Sequence, residues 1–173
     1  MKRIIADSSS IILLAKCSLL EDVCKHFEVL APTAALEESA SKKLAKKYPD
    51  AALISKMINT GAIEITSPGE GRLHLPFSVH RGEKEALLLS LKFKKALFAT
   101  DDGKAIKAAR FLNIPFIISL KMVIELVRLK LISFPKARKS IEKLGKIGRY
   151  SPEIIAEALI SLMEVKDGQT DHY

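Results

Sequence analysis

Ile4-Ile5-Ala6 is an apolar run that ends in Asp7, and the pattern after it is helical over Ser9–Cys17, with serine near the cap. Leu19–His26 continues as a second helical piece with Leu20, Val23, Cys24 and Phe27 on one face, and Phe27–Ala31 reads as a short strand. Pro32-Thr33 opens a helix that carries Glu37 and Glu38; Lys42 to Lys47 reads as a basic, exposed stretch. Ala51–Asn59 is helical and stops at Gly61, and Ala62–Thr66 alternates as a strand. Ser67 to Gly82, with two prolines and two glycines before Arg81, reads as a flexible loop or a short insertion. Glu83–Phe93 is a strongly apolar helix, Ala96–Thr100 a strand, Asp102–Leu112 a helix and Pro115–Ile118 a last parallel strand. Leu120–Leu129, Pro135–Leu144 and Ser151–Met163 then read as three helices with short connections. The alternation predicts an α/β protein, a three-layer α/β/α sandwich on a mostly parallel central sheet, with C-terminal helices added.

Acids stand where this pattern makes them informative. Asp7 and the pair Asp101-Asp102 follow predicted parallel strands, the edge at which open α/β sheets bind ligands. Two strands delivering carboxylates to one rim suggest a site for a hard cation and for whatever that cation polarises. An acid facing the core at the end of an apolar strand is costly unless paired or metal-bound. Asp7 reads equally as a helix N-cap, but Ser8 and Ser9 offer caps of their own, which shifts the reading toward a site. Glu37 and Glu38 point about 100° apart around their helix, so one can face the rim while the other is solvated. Glu83 and Glu85 share a first helical turn, where the helix dipole favours an acid, and Asp101-Asp102-Gly103 also fits a tight turn. Each position has a plain structural explanation when taken alone. Acids at the matching ends of successive elements are harder to explain that way.

Composition narrows the possibilities. The 173 residues suit one domain with a real core, 48% of them apolar and 28% charged. The formal net charge is +8, from 28 Lys and Arg against 20 Asp and Glu, which fits a polyanionic substrate and equally fits plain solubility. Cys17 and Cys24 lack the spacing of a zinc site and read as buried free thiols in a reducing compartment; the scattered histidines do not suggest zinc either. No apolar run approaches the roughly 20 residues that span a bilayer, so no membrane association and a cytoplasmic location are expected.

The order IIADSSSIILLAK, APTAALEESA, GEKEALLLSLKFKKALFATDDGKAIKAARFLNIP resembles the PIN domain, the nuclease fold of many bacterial and archaeal toxin–antitoxin ribonucleases. The likeness continues through SLKMVIELVRLKLISFPKARKSIEKL and SPEIIAEALISL, similar to a prokaryotic PIN-like subfamily with a helical tail. It implies a PIN-like nuclease domain over 1–130 and a helical extension packed on it over 131–165; the polar run KDGQTDHY over 166–173 reads as a frayed tail. It also implies a catalytic and metal-binding set of Asp7, Glu38, Glu83 and Asp102, with Asp101 assisting at the metal and Ser9 beside the first acid. Glu83 departs from the aspartate common at that position, which bears on how many ions are held.

Carboxylates crowded together repel unless a divalent cation neutralises them, and Mg²⁺ or Mn²⁺ suits an all-oxygen set. The expected activity is hydrolysis of RNA phosphodiester bonds; the mechanism does not need the 2′-OH, so DNA is an allowed substrate. Lys42, Lys43, Arg72, Arg81 and Lys104 are candidate backbone clamps. A homodimer and an antitoxin protein are the expected partners. The rival readings are a PIN-fold module that binds nucleic acid or protein without cutting, and an aspartyl-phosphate enzyme. The second is disfavoured because Ser9, not Asp, stands two residues after Asp7.

Overall fold

The computed structural model describes residues 2–166 and Gly168. Strands β1 (Lys2–Ala6), β2 (Phe27–Ala31), β3 (Ile63–Ile65), β4 (Leu97–Ala99) and β5 (Phe116–Ile117) pair in parallel as one sheet of order β3-β2-β1-β4-β5. From β1 the chain builds outward to β3, then returns to place β4 on the other side of β1. The reversal leaves a topological switch point between the C-terminal ends of β1 and β4, the place where such sheets take ligands.

The strands are buried on both faces, as a parallel sheet requires. Ile4 and Ala6 point with Val29, Ala31 and Ala99 into one core, while Ile5, Leu30 and Phe98 point into the other. The first core is covered by α1 (Ser8–Lys16), α2 (Leu20–His26), α3 (Thr33–Ala40), α5 (Pro49–Asn59), α8 (Ser119–Arg128), α9 (Phe134–Ile147) and α10 (Pro152–Lys166). The second lies under α6 (Arg81–Lys92) and α7 (Gly103–Phe111), whose alanines 86, 105, 108 and 109 let the helices sit close to Phe98. Truncating the fully buried Phe98 would cost about 3–5 kcal/mol. The C-terminal helices share the first core with β1 and β2 through Leu120, Val123, Ile141, Leu144 and Leu162.

Two stretches differ from the pattern-based expectation. Lys42–Lys47 forms a helix, α4, although none of its residues is buried. Lysine, leucine and alanine are good helix formers, and Pro49 ends the run by opening α5. Ser67–His80 has no regular structure, yet part of it is a packed strap. Leu73, Leu75, Phe77 and Val79 all turn inward against the second core, while the residues between them are exposed. This period-two alternation is visible in LHLPFSV, but Pro76 and the glycines obscure it.

Among the described residues, no helix is long and apolar enough to cross a membrane. α10 runs to Lys166; of the tail expected to fray, Asp167 and residues 169–173 lie outside the described residues.

Candidate active site

Asp7 follows β1 directly, and its N–H continues the ladder to the Ala99 carbonyl at 3.1 Å. Its side chain caps α1: Oδ1 accepts from the Ser10 N–H at 3.0 Å and from Ser9 Oγ at 2.7 Å. Oδ2 accepts from Thr100 Oγ1 at 2.5 Å, a bond that ties the end of β1 to the end of β4. The one carboxylate thus caps α1 and holds the end of β4 at the same time. Asp7 is only 3% exposed, and burial raises its pKa to about 6 despite these three donors.

The β4 side is built around the same hydroxyls. The Asp101 N–H donates to Ser9 Oγ at 2.9 Å, and the Asp102 N–H to Thr100 Oγ1 at 3.2 Å. Asp102 caps α7, with Oδ1 accepting from the Lys104 and Ala105 N–H groups at 2.8 and 3.0 Å. Glu83, in the first turn of α6, accepts from the His80 N–H at 2.9 Å. Burial holds its carboxyl above the ordinary range, and the neighbouring Asp102 charge adds to that effect. Glu38 comes from α3 and accepts from Ser8 Oγ at 2.5 Å.

These four acids line one cavity of about 450 Å³ together with Ser8, Ser9, His80 and Arg81. None of the four forms an ion pair among the described residues. Arg81, the cation at the edge, is engaged by Glu85 at 2.9 Å and Glu37 at 3.4 Å. Helical phase thus separates the paired glutamates: Glu38 faces the cavity and Glu37 takes the arginine. The cavity's carboxylate and hydroxyl oxygens, with no lysine or arginine bonded to the four acids among the described residues, have the chemistry that hard divalent cations favour. As the side chains stand, however, no group of three among the described residues closes into a ligand set for one ion. Hydrogen bonds to Ser8, His80 and the α7 N–H groups orient the carboxylates individually around the cavity.

Asp101, expected as an assisting ligand, does not line this cavity. Its Oδ1 accepts from the Ser119 N–H at 2.9 Å and from the Tyr150 hydroxyl, and its Oδ2 accepts from Ser119 Oγ at 2.5 Å. Burial keeps this carboxyl above its ordinary pKa, against the pull of those donors. It joins the acid rim to α8 and to the turn before α10.

Sequence reasoning missed Thr100, fully buried and bonded to Asp7, and Glu85, whose Oε2 receives the Ala34 N–H at 3.1 Å and so satisfies the start of α3 from α6. Neither partner is near in sequence, so no local pattern announces them. Of the five cations named as clamps, Arg81 alone lines the acid cavity.

No curated protein matches the chain. A family model, DUF3368, described as a PIN domain, matches residues 3–164. That span takes in the sheet from the second residue of β1 onward and every acid of the cavity, so the chain belongs to the PIN-domain family, whose fold is of the nuclease type.

Proposed function

We propose that this protein is a divalent-metal-dependent ribonuclease that hydrolyses RNA phosphodiester bonds in the cavity at the β1–β4 switch point. One observation supports this most: four carboxylates from different elements line one small cavity, and among the described residues no lysine or arginine pairs with any of them. Asp7, Glu38, Glu83 and Asp102 are the residues that would hold Mg²⁺ or Mn²⁺. When bound, such an ion supplies an acidified water and neutralises charge on the phosphate.

The chain's own residues divide the remaining work. Thr100, Ser9 and Ser10 hold Asp7 in one orientation, so its charge is in place before substrate arrives. Ser8 does the same for Glu38. Burial and the neighbouring Asp102 charge favour the protonated form of Glu83 relative to an ordinary glutamate. His80 and Arg81 at the mouth can meet phosphate oxygens. The family also supplies toxins of toxin–antitoxin pairs; in that role, a partner peptide would cover this cavity.

The direct test is cleavage of labelled RNA with Mg²⁺ or Mn²⁺ and with chelator, alongside Asp7→Asn. Metal-dependent cleavage that the variant lacks is the expected result, and wild-type cleavage undiminished by chelator would refute the reading. A second reading, a PIN fold that binds nucleic acid without cutting, draws on the absence of a closed three-ligand set among the described residues. Tight RNA binding with no turnover in either metal would favour it.

A further inference from the structure

A second groove, of about 780 Å³, opens beside the acid cavity and shares Arg81 with it. One wall is the segment Ser67–Arg72 that leads into the packed strap. The other is the outer face of α6, with Arg81, Lys84, Glu85 and Leu88. The wall is seated against the helix: a Cβ on Gly71 would lie 2.8 Å from Leu88 Cδ2, so a glycine allows the approach.

The charges in this groove are unequal in kind. Arg81 and Glu85 neutralise each other. The Arg72 and Lys84 side chains are exposed, line the groove, and make no ion pair or hydrogen bond among the described residues; Glu70, on the same wall as Arg72, is the acid beside them. Among the described residues no aromatic side chain lines the groove, so they offer no platform for stacking a base. Two free cations without a stacking surface or a buried polar side chain to read a base edge suit a backbone phosphate.

We infer that this groove is a phosphate subsite for the single strand leading away from the acid cavity, with Arg72 and Lys84 as the cations that hold it, tolerant of base identity. The inference rests on the nuclease reading above. It adds to that reading a direction for the strand, from the cavity past Arg81 and along α6 toward the 67–72 wall. It also adds a requirement: substrates need nucleotides on that side of the scissile bond. Of the clamps suggested by sequence, Lys42, Lys43 and Lys104 line neither cavity.

The test measures binding of fluorescein-labelled oligouridylate and oligoadenylate in Mg²⁺ across a salt series. It uses the Asp7→Asn protein, so that the strand stays intact, while wild-type cleavage is followed in parallel. Adding Arg72→Ala and Lys84→Ala should lower the slope of log K against log salt by about 1.4, two cations at roughly 0.7 each for a single strand, and equally for both homopolymers. Lys94→Ala with Lys95→Ala removes the same charge beside a separate pocket lined by Lys2, Arg3 and Phe93, and should leave the slope unchanged. Equal losses in the two double variants would reduce the effect to net charge and overturn the subsite. An unchanged slope in the Arg72/Lys84 variant, with wild-type RNA cleavage intact, would overturn the subsite and leave the nuclease reading standing. A wild-type protein that neither cuts nor binds RNA would overturn both.

Discussion

Gly82 lies so close to Glu38 that a Cβ built on it would sit 2.7 Å from Glu38 Oε1 and 3.0 Å from Oε2. The start of α6 and the acid of α3 therefore touch through the absence of a side chain. Gly82 is also in the first turn of a helix, and alanine is the better helix former. Gly82→Ala should push the Glu38 carboxylate from its place and lower cleavage by about tenfold, the equivalent of 1.4 kcal/mol in the barrier. The melting temperature should hold or rise. Unchanged turnover would mean that Glu38 needs no fixed position.

Asp7 carries a pH signature. Its folded pKa, near 6, lies above the ordinary 3.8, so the native state binds the proton more tightly than the unfolded chain does. At neutral pH the buried charge destabilises the metal-free protein, on the order of 3 kcal/mol for a shift of this size. That penalty is relieved as pH falls from about 6 toward 3.8. Asparagine caps helices as well as aspartate does, so Asp7→Asn should melt higher than wild type at pH 7 in chelator. The difference should shrink toward pH 4. Melting curves across this range decide it, and a variant less stable than wild type at pH 7 would contradict the argument.

The Thr100 hydroxyl favours the charged form of Asp7. Thr100→Val keeps the shape and removes the donor, so the Asp7 pKa should rise further. The acid limb of the pH–rate profile for metal-dependent cleavage should shift to higher pH, with a smaller loss at pH 8 than at pH 6. A uniform loss at all pH values would point to packing instead.

The two adjacent aspartates should separate by readout. Asp102 lines the cavity and caps α7, a role asparagine can fill; Asp102→Asn should therefore reduce cleavage strongly and change stability little. Asp101 holds Ser119 and Tyr150 instead. Asp101→Asn should cost about 1–3 kcal/mol in urea unfolding, because it leaves buried donors poorly matched, with a lesser effect on cleavage. Identical activity losses in the two variants would show that both reach the reacting centre.

A divalent ion that binds only the folded protein adds RT ln(1 + [L]/Kd), about 2.7 kcal/mol at a hundredfold excess over Kd. Mn²⁺ should accordingly raise the melting temperature of wild type, and of Asp102→Asn to a smaller extent. A curve that does not move at saturating Mn²⁺ would show that the four acids do not hold an ion together.

Much of this protein follows from local pattern. Strand runs that end in Asp7 and Thr100, helical periods, and Pro or Gly at the breaks are short-range properties, and they mark out the parallel α/β order and the acids on its rim. Helical phase is local as well, so the divergence of Glu37 and Glu38 could be read from the chain, while the packing of α3 set which of them lines the cavity. The strap from Leu73 to Val79 was legible in principle, as a two-residue alternation interrupted by a proline. What tertiary structure alone decided lies in bonds between elements far apart in sequence. Thr100 reaches Asp7 across 93 residues, and Tyr150 takes Asp101 out of the cavity from 49 residues away. The groove of Arg72 and Lys84 exists only because the 67–72 segment folds back on α6. No periodicity carries such information, because a side chain's partner across a sheet or a turn is set by the packing of both elements.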